Sequence, residues 1–442
     1  MRLLFADHHA RKSACTYYRQ EVPHKTINKL KLAEAFLSDP VGAGGTEEER
    51  LKYYLGCDSV LYYAISGPGL VKLTKSMRKF PVQKHADDSY SYPPTIYKDI
   101  DDNTHFVSPF NPAFAKLGTR DLNGKLFSKG EWIWVANDAN LVGTNPSKKE
   151  LTELEKAEKV KVLWKDGKNG FDVADNKRKV RRFDQLFKLS HGASFTSERL
   201  RTYYKEKLNL KNTYVFPNSV VFEDYPSIPL LRDKGTVKVL WQGGDSHYGD
   251  WYTLKDSLGW TTSKFDEVRW VIWGTKYGFI HETLAKNKWH FEPWVPYEAY
   301  KLRLATIDFD FVVAPLAANM FNEGKSCIKW YEASALPEPR PVLAARVPPY
   351  SDEIIDGETG LLYGDDEEFK VKFEALVRDG ALRDRLAKNA KEWIGEYRQA
   401  SKTVPPYAEW ISKTTDVIRR RRSRYARLEK PTGKADLSEL ST

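Results

Sequence analysis

Residues Phe309–Glu332 read FDFVVAPLAANMFNEGKSCIKWYE, and this stretch decides the fold. The apolar run Phe309–Ala314 predicts a buried strand, and the polar residues after it predict a loop. A helix is predicted to open at about Glu323 and to cover residues 323–336. Its first turn would offer unpaired backbone N–H groups, which form a natural phosphate site. A strand, a loop and a helix in this order are typical of a nucleotide-binding α/β sheet.

Four side chains in this stretch predict chemistry. Lys325 supplies a mobile cation and Ser326 a hydroxyl near the start of the predicted helix. Lys329 and Glu332 follow Lys325 at spacings that would place all three on one helix face. A carboxylate one to two turns into such a helix can accept hydrogen bonds from a ribose diol while the helix start holds phosphate. The alternative interpretation is an ordinary surface face with Lys–Glu salt bridges.

Two common nucleotide motifs are missing. The first strand is not followed by the glycine pattern of dinucleotide-binding proteins. Gly324-Lys325-Ser326 looks like the end of a P-loop, but Asn319 stands where that motif needs a glycine, and the predicted strand does not end directly before that position. We therefore exclude a P-loop nucleoside triphosphatase.

The alternation of strands and helices extends outward from this stretch in both directions. It favours parallel sheets covered by helices on both faces. Prolines at 217, 226 and 229 predict a connection between two halves. The predicted fold is α/β, with two doubly wound, Rossmann-like domains facing an interdomain cleft. Apolar runs predict strands at 2–6, 58–65, 95–99, 132–136, 237–242, 268–273, 289–294, 309–314 and 341–345, and helices are predicted near 69–79, 147–160, 323–336, 367–396 and 407–425.

The domain organisation follows from this pattern. Residues 1–230 are predicted to form the first domain and residues 231–404 the second. A final helix at 405–428 is expected to cross back to the first domain, and residues 429–442 are expected to form a disordered tail. At 442 residues the chain is long enough for two or three domains.

Composition limits the class of protein. The three cysteines, Cys15, Cys57 and Cys327, form no C-x-x-C pair, so a disulfide framework or structural zinc site is not expected. The N-terminal apolar run is too short for a signal peptide, and the most apolar stretch, 309–321, is too short to span a bilayer. We expect a cytoplasmic protein, in the host cytoplasm if a phage encodes it.

Two local segments carry the formal net charge of +10. Residues 146–182 contain 12 Lys or Arg against 7 Asp or Glu, and residues 411–442 contain 9 against 4. Such segments are typical of a partner with many negative charges, such as nucleic acid, an acidic membrane surface or an acidic polysaccharide. The alternative interpretation is a set of solvated, lysine-rich surface helices.

The stretch resembles the large family of retaining glycosyltransferases with the GT-B fold, and most of all its phage and bacterial members. The pattern P-L-x(4)-F-N-x-x-K-S-x-I-K-x-x-E of those members is matched from Pro315 to Glu332. Upstream, Trp241–Asp250 resembles the first loop of the family's second domain. Downstream, Ile355–Leu362 continues in the family's order. The resemblance covers nearly the whole chain and is specific between 237 and 395.

This resemblance implies a nucleotide-sugar donor, in the first place a UDP-sugar, with no permanently bound cofactor and no metal. By resemblance, the Glu332 carboxylate would hold the ribose, and the turn at Val295 would border the base. The wider family has a glutamate touching the transferred sugar at the position of Gly324, and Glu323 here stands one residue away. The residues implied at the donor diphosphate are Gly243, Gly244, His247, Lys325 and Ser326, and Lys329 is expected to belong to the same donor site.

The implied reaction transfers the sugar with retention of anomeric configuration, and Lys325 would stabilise the departing diphosphate. The acidic run Asp99, Asp101 and Asp102 has three interpretations: carboxylates near the acceptor hydroxyl, a metal site, or a turn that caps the next segment. We expect Asp101 and Asp102 to be catalytic and Asp99 to lie on the acceptor side with Arg19. His8 and His9 could also line the cleft.

The acceptor has two candidate classes. A hydroxymethylated pyrimidine in DNA would explain basic segments 146–182 and 411–430 through phosphate contacts, and its base would have to be flipped out of the stack. The other class is a saccharide, lipid-linked or protein acceptor, with the arginine-rich last helix touching a membrane or nothing. A catalytically silent binding module on the same fold is a further hypothesis. The oligomeric state is left open.

Overall fold

The computed structural model describes residues 1–428 except 7–13, 38–45, 65, 122–123, 137–141, 146, 158–159, 231 and 234. The chain packs into two compact units, each built from separate segments. The first unit comprises Met1–Asp101, Lys179–Asn218 and the chain from Ala400 onward, and the second comprises Asp102–Arg178 and Ser219–Gln399. The predicted domains 1–230, 231–404 and 405–428 stay predictions, and the predicted tail 429–442 lies outside the described residues.

Strands and helices alternate along most of the described chain. The strands β1 to β17 are Arg2–Ala6, Glu34–Leu37, Ser59–Tyr63, Gln83–Lys84, Tyr90–Ser91, Thr95–Ile100, Trp132–Ala136, Val142–Thr144, Val160–Lys165, Gly192–Phe195, Thr213–Val215, Val237–Gly243, Val268–Gly274, Trp289–Pro293, Phe311–Ala314, Val342–Ala345 and Leu361–Tyr363. The helices α1 to α17 are Ala14–Thr16, Val22–Lys29, Glu47–Leu55, Pro68–Lys79, Phe114–Leu117, Lys148–Lys156, Val173–Leu189, Glu198–Leu208, Tyr248–Tyr252, Lys255–Lys264, Gly278–Thr283, Tyr297–Thr306, Ile328–Ala335, Tyr350–Glu353, Asp366–Arg378, Gly380–Tyr397 and Ala400–Leu428.

The first unit is built on a parallel six-stranded sheet in the order β11-β10-β6-β3-β1-β2. Strands β3 and β6 are buried along their whole length, as expected for the centre of a sheet covered on both faces. This architecture confirms the strands predicted at 2–6, 58–65 and 95–99. Because all six strands run the same way, their carboxyl ends meet at one edge of the sheet.

The second unit contains another parallel six-stranded sheet, in the order β14-β13-β12-β15-β16-β17. All five strands predicted for this half are present. The order reverses between β12 and β15, which makes the carboxyl ends of these two strands the topological switch point. Its core is rich in indole rings, with Trp241, Trp251, Trp270, Trp273 and Trp330 fully buried.

The apolar run Trp132–Ala136 is a strand but not part of a parallel sheet, which corrects the prediction. It pairs antiparallel with β8 and β9 in a separate three-stranded sheet in the second unit. The link from β7 to β8 is only five residues long. A parallel crossover needs a dozen or more residues. A link of this length therefore allows only an antiparallel hairpin.

The helix predicted from about Glu323 begins instead at Ile328. Asn322–Gly324 form a 3₁₀ turn, in which the Asn319 side chain accepts hydrogen bonds from the backbone N–H groups of residues 321 and 322. The chain is then extended at Lys325, which interrupts the helical path. Lys325 and Ser326 therefore lie in the loop before α13, and only Lys329 and Glu332 share its surface.

The last helix begins earlier than predicted, at Ala400, and continues through Pro405 and Pro406. Prolines inside a helix remove hydrogen bonds and usually end it. Here Val404, Tyr407, Ala408 and Ile411 form a buried stripe at helical spacing, and this burial offsets the missing bonds. The predicted helix 367–396 is in fact two helices, α15 and α16, divided at Asp379.

Among the residues that the structure describes, no helix combines the length and the apolarity needed to cross a membrane.

Candidate functional site

Two loops at the carboxyl edge of the second sheet form the site. The first loop follows β12 and contains Gly244 and a 3₁₀ turn at Asp245–His247. The hydroxyl of Tyr277 donates to the Gly244 carbonyl at 2.7 Å, and the backbone N–H of Thr275 donates to the Gly243 carbonyl at 3.0 Å. The chain that follows β13 therefore fixes the glycine loop.

Gly274, at the end of β13, allows this close approach. Its φ is +109°, and a Cβ there would stand 2.4 Å from the Gly243 carbonyl oxygen. No other residue type fits both the angle and the space. At Gly243 an added Cβ would lie 2.9 Å from the imidazole of His247, so this glycine leaves room for the histidine.

The second loop, residues 315–327, is held by a buried carboxylate. Asp250 Oδ1 accepts hydrogen bonds from the Ala317 backbone N–H at 2.9 Å and from Asn322 Nδ2 at 2.7 Å. The Phe321 ring belongs to an aromatic cluster with Phe114, Phe127 and Phe171. The segment 102–178, far away in the chain, thus anchors the loop that carries Lys325 and Ser326.

Asp250 also connects the second loop to the first. Its Oδ2 lies 2.7 Å from His247 Nδ1, and His247 Nε2 lies 3.2 Å from Lys329 Nζ. An ammonium at Lys329 requires Nε2 to accept, so Nδ1–H donates to Asp250. Burial, together with the positive charges of Lys329 and Lys325, lowers the pKa of His247 to about 4, and the imidazole is therefore neutral near pH 7.

The lysines of the site lie close enough to repel each other. Burial and the nearby Lys325 lower the pKa of Lys329 to about 8. Burial disfavours the charged form of Asp250, but the hydrogen bond from His247 and the charge of Lys325 outweigh it and lower the pKa of that carboxyl. Lys325 Nζ lies over the Phe321 ring, 4.7 Å from its centroid. Because the two cations beside this loop repel each other, a bound anion would stabilise them.

Glu332 lies deeper, with 3% of its surface exposed. Its Oε2 accepts a hydrogen bond from the Tyr300 hydroxyl at 2.7 Å and from Gln242 Nε2 at 3.3 Å. The Tyr300 ring stacks on Trp273 with centroids 4.8 Å apart. The carboxylate therefore has a fixed position beneath the carboxyl ends of β12 and β13.

Trp294 and Val295 follow β14 at the same edge. Trp294 is 55% exposed, and an added Cβ at Gly244 would stand 3.3 Å from its indole ring. Val295 is half-buried. Glu323 is also half-buried and lies in the 3₁₀ turn of the second loop, with its backbone N–H bonded to the Asn319 carbonyl. The predicted donor residues of the second half thus all lie in the second unit, at or beneath one edge of its sheet.

In the first unit, Arg19 and Asp99 form a buried ion pair whose side chains are both 0% exposed. The guanidinium lies at 2.5 and 2.8 Å from the Asp99 oxygens, and it also donates to the Phe216 carbonyl. Ser194 Oγ donates to the same carboxylate. A direct contact with an acceptor would require this network to open, and the acceptor-side role of both residues stays a prediction.

The other predicted acidic residues follow this pair in the chain. Asp101 and Asp102 follow β6 directly and are half-buried, and the Asp101 carbonyl accepts a hydrogen bond from Thr196 Oγ1 at 3.2 Å. Their catalytic role stays a prediction. The described residues contain no group of three or more His, Cys, Asp or Glu side chains that could hold a metal ion. His8 and His9 lie outside the described residues.

Sequence reasoning assigned no role to Asp250, Asn322, Gln242 or Tyr300, which support the predicted site residues. Asp250 could have been found, because it stands three residues after His247 and such a pair shares a helix face. Tyr300 could not, since it comes from a helix 32 residues before Glu332 and nothing in its local pattern predicts that contact.

No protein-family model matches the chain, and a search of curated proteins finds no match either. Solved structures do match. HepE from Anabaena, in complex with UDP and glucose, is 14% identical with a TM-score of 0.54, covering 93% of this chain and 100% of that one. A glycosyltransferase from Rickettsia africae is 9% identical with a TM-score of 0.55, covering 93% and 98%.

TarM from S. aureus, in a complex that contains UDP, is 14% identical with a TM-score of 0.51, and the match covers 82% of this chain. The chain spans 58% of the length of TarM. At such identities the likeness concerns the fold. With two parallel six-stranded sheets flanked by helices, the chain has the two-domain α/β fold of the GT-B class.

Proposed function

We propose that this protein is a glycosyltransferase that takes its sugar from a UDP-sugar. The observation that carries the proposal is the grouping of two lysines, a serine and a glycine loop at the topological switch point of the second sheet, with a buried carboxylate beneath them. Anionic ligands bind at the carboxyl ends of strands in such sheets. The complexes of HepE with UDP, glucose and UDP-glucose support a donor of this kind.

In this proposal the diphosphate lies between the two loops. Lys325 and Ser326 bind it from one loop, and the backbone at Gly243 and Gly244 approaches it from the other, next to His247. Lys329 contributes charge from beneath. These groups are fixed before the donor arrives, so they stabilise the negative charge that develops on the departing diphosphate without reorganising.

The nucleoside and the sugar extend from the diphosphate in two directions. Glu332 accepts hydrogen bonds from the ribose hydroxyls, and Val295 borders the base. Glu323 points to the transferred sugar. We further propose that transfer proceeds with retention and without a metal, with Asp101 and Asp102 near the acceptor hydroxyl, because the lysines supply the positive charge that a metal would otherwise provide.

Basic segment 146–182 supports a hydroxymethylated pyrimidine in DNA as the acceptor. The last helix supports it less, because Arg419 is bound to Asp58 and Arg422 to the Pro93 carbonyl. A saccharide, lipid-linked or protein acceptor needs no such charge. Transfer of labelled sugar to hydroxymethylated duplex DNA, compared with unmodified DNA and with oligosaccharides, separates these classes.

A thermal-shift screen against nucleoside diphosphates and their sugars tests the donor. A ligand that binds only the folded state raises the melting temperature. We expect UDP and at least one UDP-sugar to raise it by several degrees, and Glu332→Ala to remove that shift. Glu282→Ala, on the exposed surface of α11, is the matched control and should keep it.

The outcomes separate the alternatives. No shift with any nucleotide would contradict the donor site. A shift without transfer to any acceptor would favour a silent binding module on the same fold. With an acceptor in hand, the anomeric configuration of the product, read by NMR, tests retention, and full activity in a metal chelator tests metal independence.

A further inference from the structure

The last helix, α17, runs across the first sheet from its carboxyl edge to its amino edge. Near its start, the Tyr407 hydroxyl lies 3.0 Å from Ser194 Oγ. Further on, Thr415 Oγ1 lies 2.8 Å from Ser59 Oγ, at the first residue of β3. Arg419 then pairs with Asp58, which precedes that strand. At 1.5 Å per residue, about 18 Å of helix separates Tyr407 from Arg419.

Two arginines fix the end of this helix to the amino edge. Arg419 pairs with Asp58, and Arg422 donates to the Pro93 carbonyl at 2.5 Å and approaches His191 Nε2 at 3.4 Å. A third arginine, Arg78 at the end of α4, donates to the Leu189 carbonyl beside them.

The crowding of these arginines shifts the pKa values of two side chains at this edge. Burial together with the charges of Arg422 and Arg78 lowers the pKa of His191 to about 3. Burial together with Arg78 and Arg419 lowers the pKa of Arg422 to about 10. Like charges raise each other's free energy, and a polyanion would relieve that repulsion.

More cations surround this cluster and face solvent. On α17, Arg420, Arg421 and Arg424 are exposed, and none of them forms an ion pair among the described residues. Lys79 and Lys188 are exposed at the ends of α4 and α7. Helices that follow parallel strands end at the amino edge, which brings their C-terminal cations together there. We call this set the amino-edge basic surface: Arg78, Lys79, Lys188, Arg420, Arg421 and Arg424.

Two apolar side chains lie within this surface. Val417 is 43% exposed and Tyr425 is 69% exposed. Their positions relative to Arg420, Arg421 and Arg424 follow helical spacing, so the five side chains share one exposed face of α17. Cations with interleaved aromatic and aliphatic groups are typical of a helix that lies on a membrane interface.

We propose that the amino-edge basic surface docks the protein on an anionic lipid bilayer. Its position favours a bilayer over nucleic acid. A DNA acceptor must present its base at the carboxyl edge of a sheet, where ligands of this fold class bind. The basic surface lies at the opposite edge, roughly 18 Å away along α17. A membrane tether has no such constraint, because it does not carry the reacting group.

This inference does not rest on the proposed transfer reaction. It concerns the first unit, whereas every donor residue lies in the second. Failure of the docking experiment would leave the donor assignment intact, and the reverse also holds.

Co-sedimentation of the full chain with vesicles tests the proposal. We expect binding to vesicles of phosphatidylcholine with about one third phosphatidylglycerol, weak binding to pure phosphatidylcholine, and loss of binding at high salt. The triple variant Arg420→Gln, Arg421→Gln, Arg424→Gln should bind at least tenfold less tightly, because each cation near an anionic surface adds roughly fivefold to the affinity. Its melting temperature should match the parent's, since these side chains are exposed.

The matched control changes three exposed cations of α6 instead: Lys148→Gln, Lys149→Gln, Lys156→Gln. It removes the same charge and should bind vesicles like the parent. Tyr425→Ser should weaken vesicle binding about threefold without changing its salt dependence. Equal losses in the two triple variants, or equal binding to neutral and anionic vesicles, would overturn the proposal. So would tight binding to duplex DNA with none to anionic vesicles.

Discussion

At the scale of single residues, Asp250 is the residue on which the geometry of the donor site depends. One carboxylate orients His247 through Oδ2 and holds Ala317 and Asn322 through Oδ1. We expect Asp250→Asn to weaken UDP binding about tenfold to a hundredfold, since a hydrogen bond to a charged group contributes about 1.5–3 kcal/mol. Asp256→Asn, an exposed carboxylate on α10, is the control. Titration calorimetry measures both, and equal affinities would contradict this role.

Lys329 predicts a pH dependence of donor binding. Its pKa in the free protein is about 8, and a bound diphosphate favours the charged form. Affinity for UDP-glucose should therefore be constant below the pKa and fall as the pH rises through 8 to 9.5. Lys329→Arg keeps its charge over this range, so its affinity should not change with pH. A parent protein with no pH dependence would contradict the prediction.

The burial of Lys98 predicts how the stability of the protein depends on pH. It is fully buried in β6, where its ammonium donates to the Asp99 carbonyl and lies over the rings of Phe183 and Phe187. Burial lowers its pKa to about 7 and outweighs the nearby carboxylates of Asp99 and Asp101. In the unfolded chain the pKa is near 10.4. The folded state therefore carries a cost that is full below pH 7 and vanishes as the pH rises through 10.

Replacing this lysine should remove that cost. We expect Lys98→Met to raise the melting temperature at pH 6, by a free energy on the order of 2–4 kcal/mol, and to raise it less at pH 9.5. Lys75→Met, on the exposed face of α4, should change little at either pH. Calorimetry at the two pH values measures the difference, and a destabilised Lys98→Met at pH 6 would show that the ammonium is needed.

At the scale of elements, the close approach of the carboxyl ends of β12 and β13 depends on Gly274. Gly274→Ala places a methyl group where the Gly243 carbonyl stands, at a φ that L-residues rarely adopt. We expect a loss of roughly 1–3 kcal/mol in stability and weaker UDP binding, because the glycine loop must move. At Gly278, which opens α11, an added Cβ meets nothing within 4 Å. Gly278→Ala should keep both properties, and urea unfolding with UDP titration compares the two variants.

Much of the architecture could be predicted from periodicity. The parallel strands read as short apolar runs between helical patterns, since both of their faces are buried. Trp132–Ala136 has the same composition, and only the length of the link to its partner shows that it is antiparallel. The start of α13 could not be placed, because Asn319 and Lys325 interrupt the helix through loop geometry that a hydrophobic pattern does not register.

The donor site could be predicted as a list of residues but not as a structure. The motif named Lys325, Ser326, Lys329 and Glu332, whose position at one sheet edge follows from the strand order. The burial of Arg19 and Asp99 was not predictable, because a single arginine in a helix has no periodicity that separates a surface residue from one paired 80 residues away.

At the scale of the whole molecule, we expect the two compact units to unfold in separate transitions. Trp410 packs on Tyr214, donates to Asn212 and covers Gly192, all in the first unit. We expect Trp410→Ala to lower the melting temperature of the first unit by the equivalent of about 3–5 kcal/mol. UDP should then raise only the transition of the second unit. Differential scanning calorimetry with and without UDP resolves this, and a single transition that UDP shifts as a whole would contradict it.

The last helix also has a consequence for synthesis on the ribosome. The strands of the first sheet are complete once Val215 has been made, but the residues of α17 that bond to Tyr97 and Ser59 are made only after the whole second sheet. Until then the part of the sheet that α17 covers in the folded protein is exposed. While the second sheet is being made, the incomplete first unit is therefore exposed to aggregation, which chaperones counter.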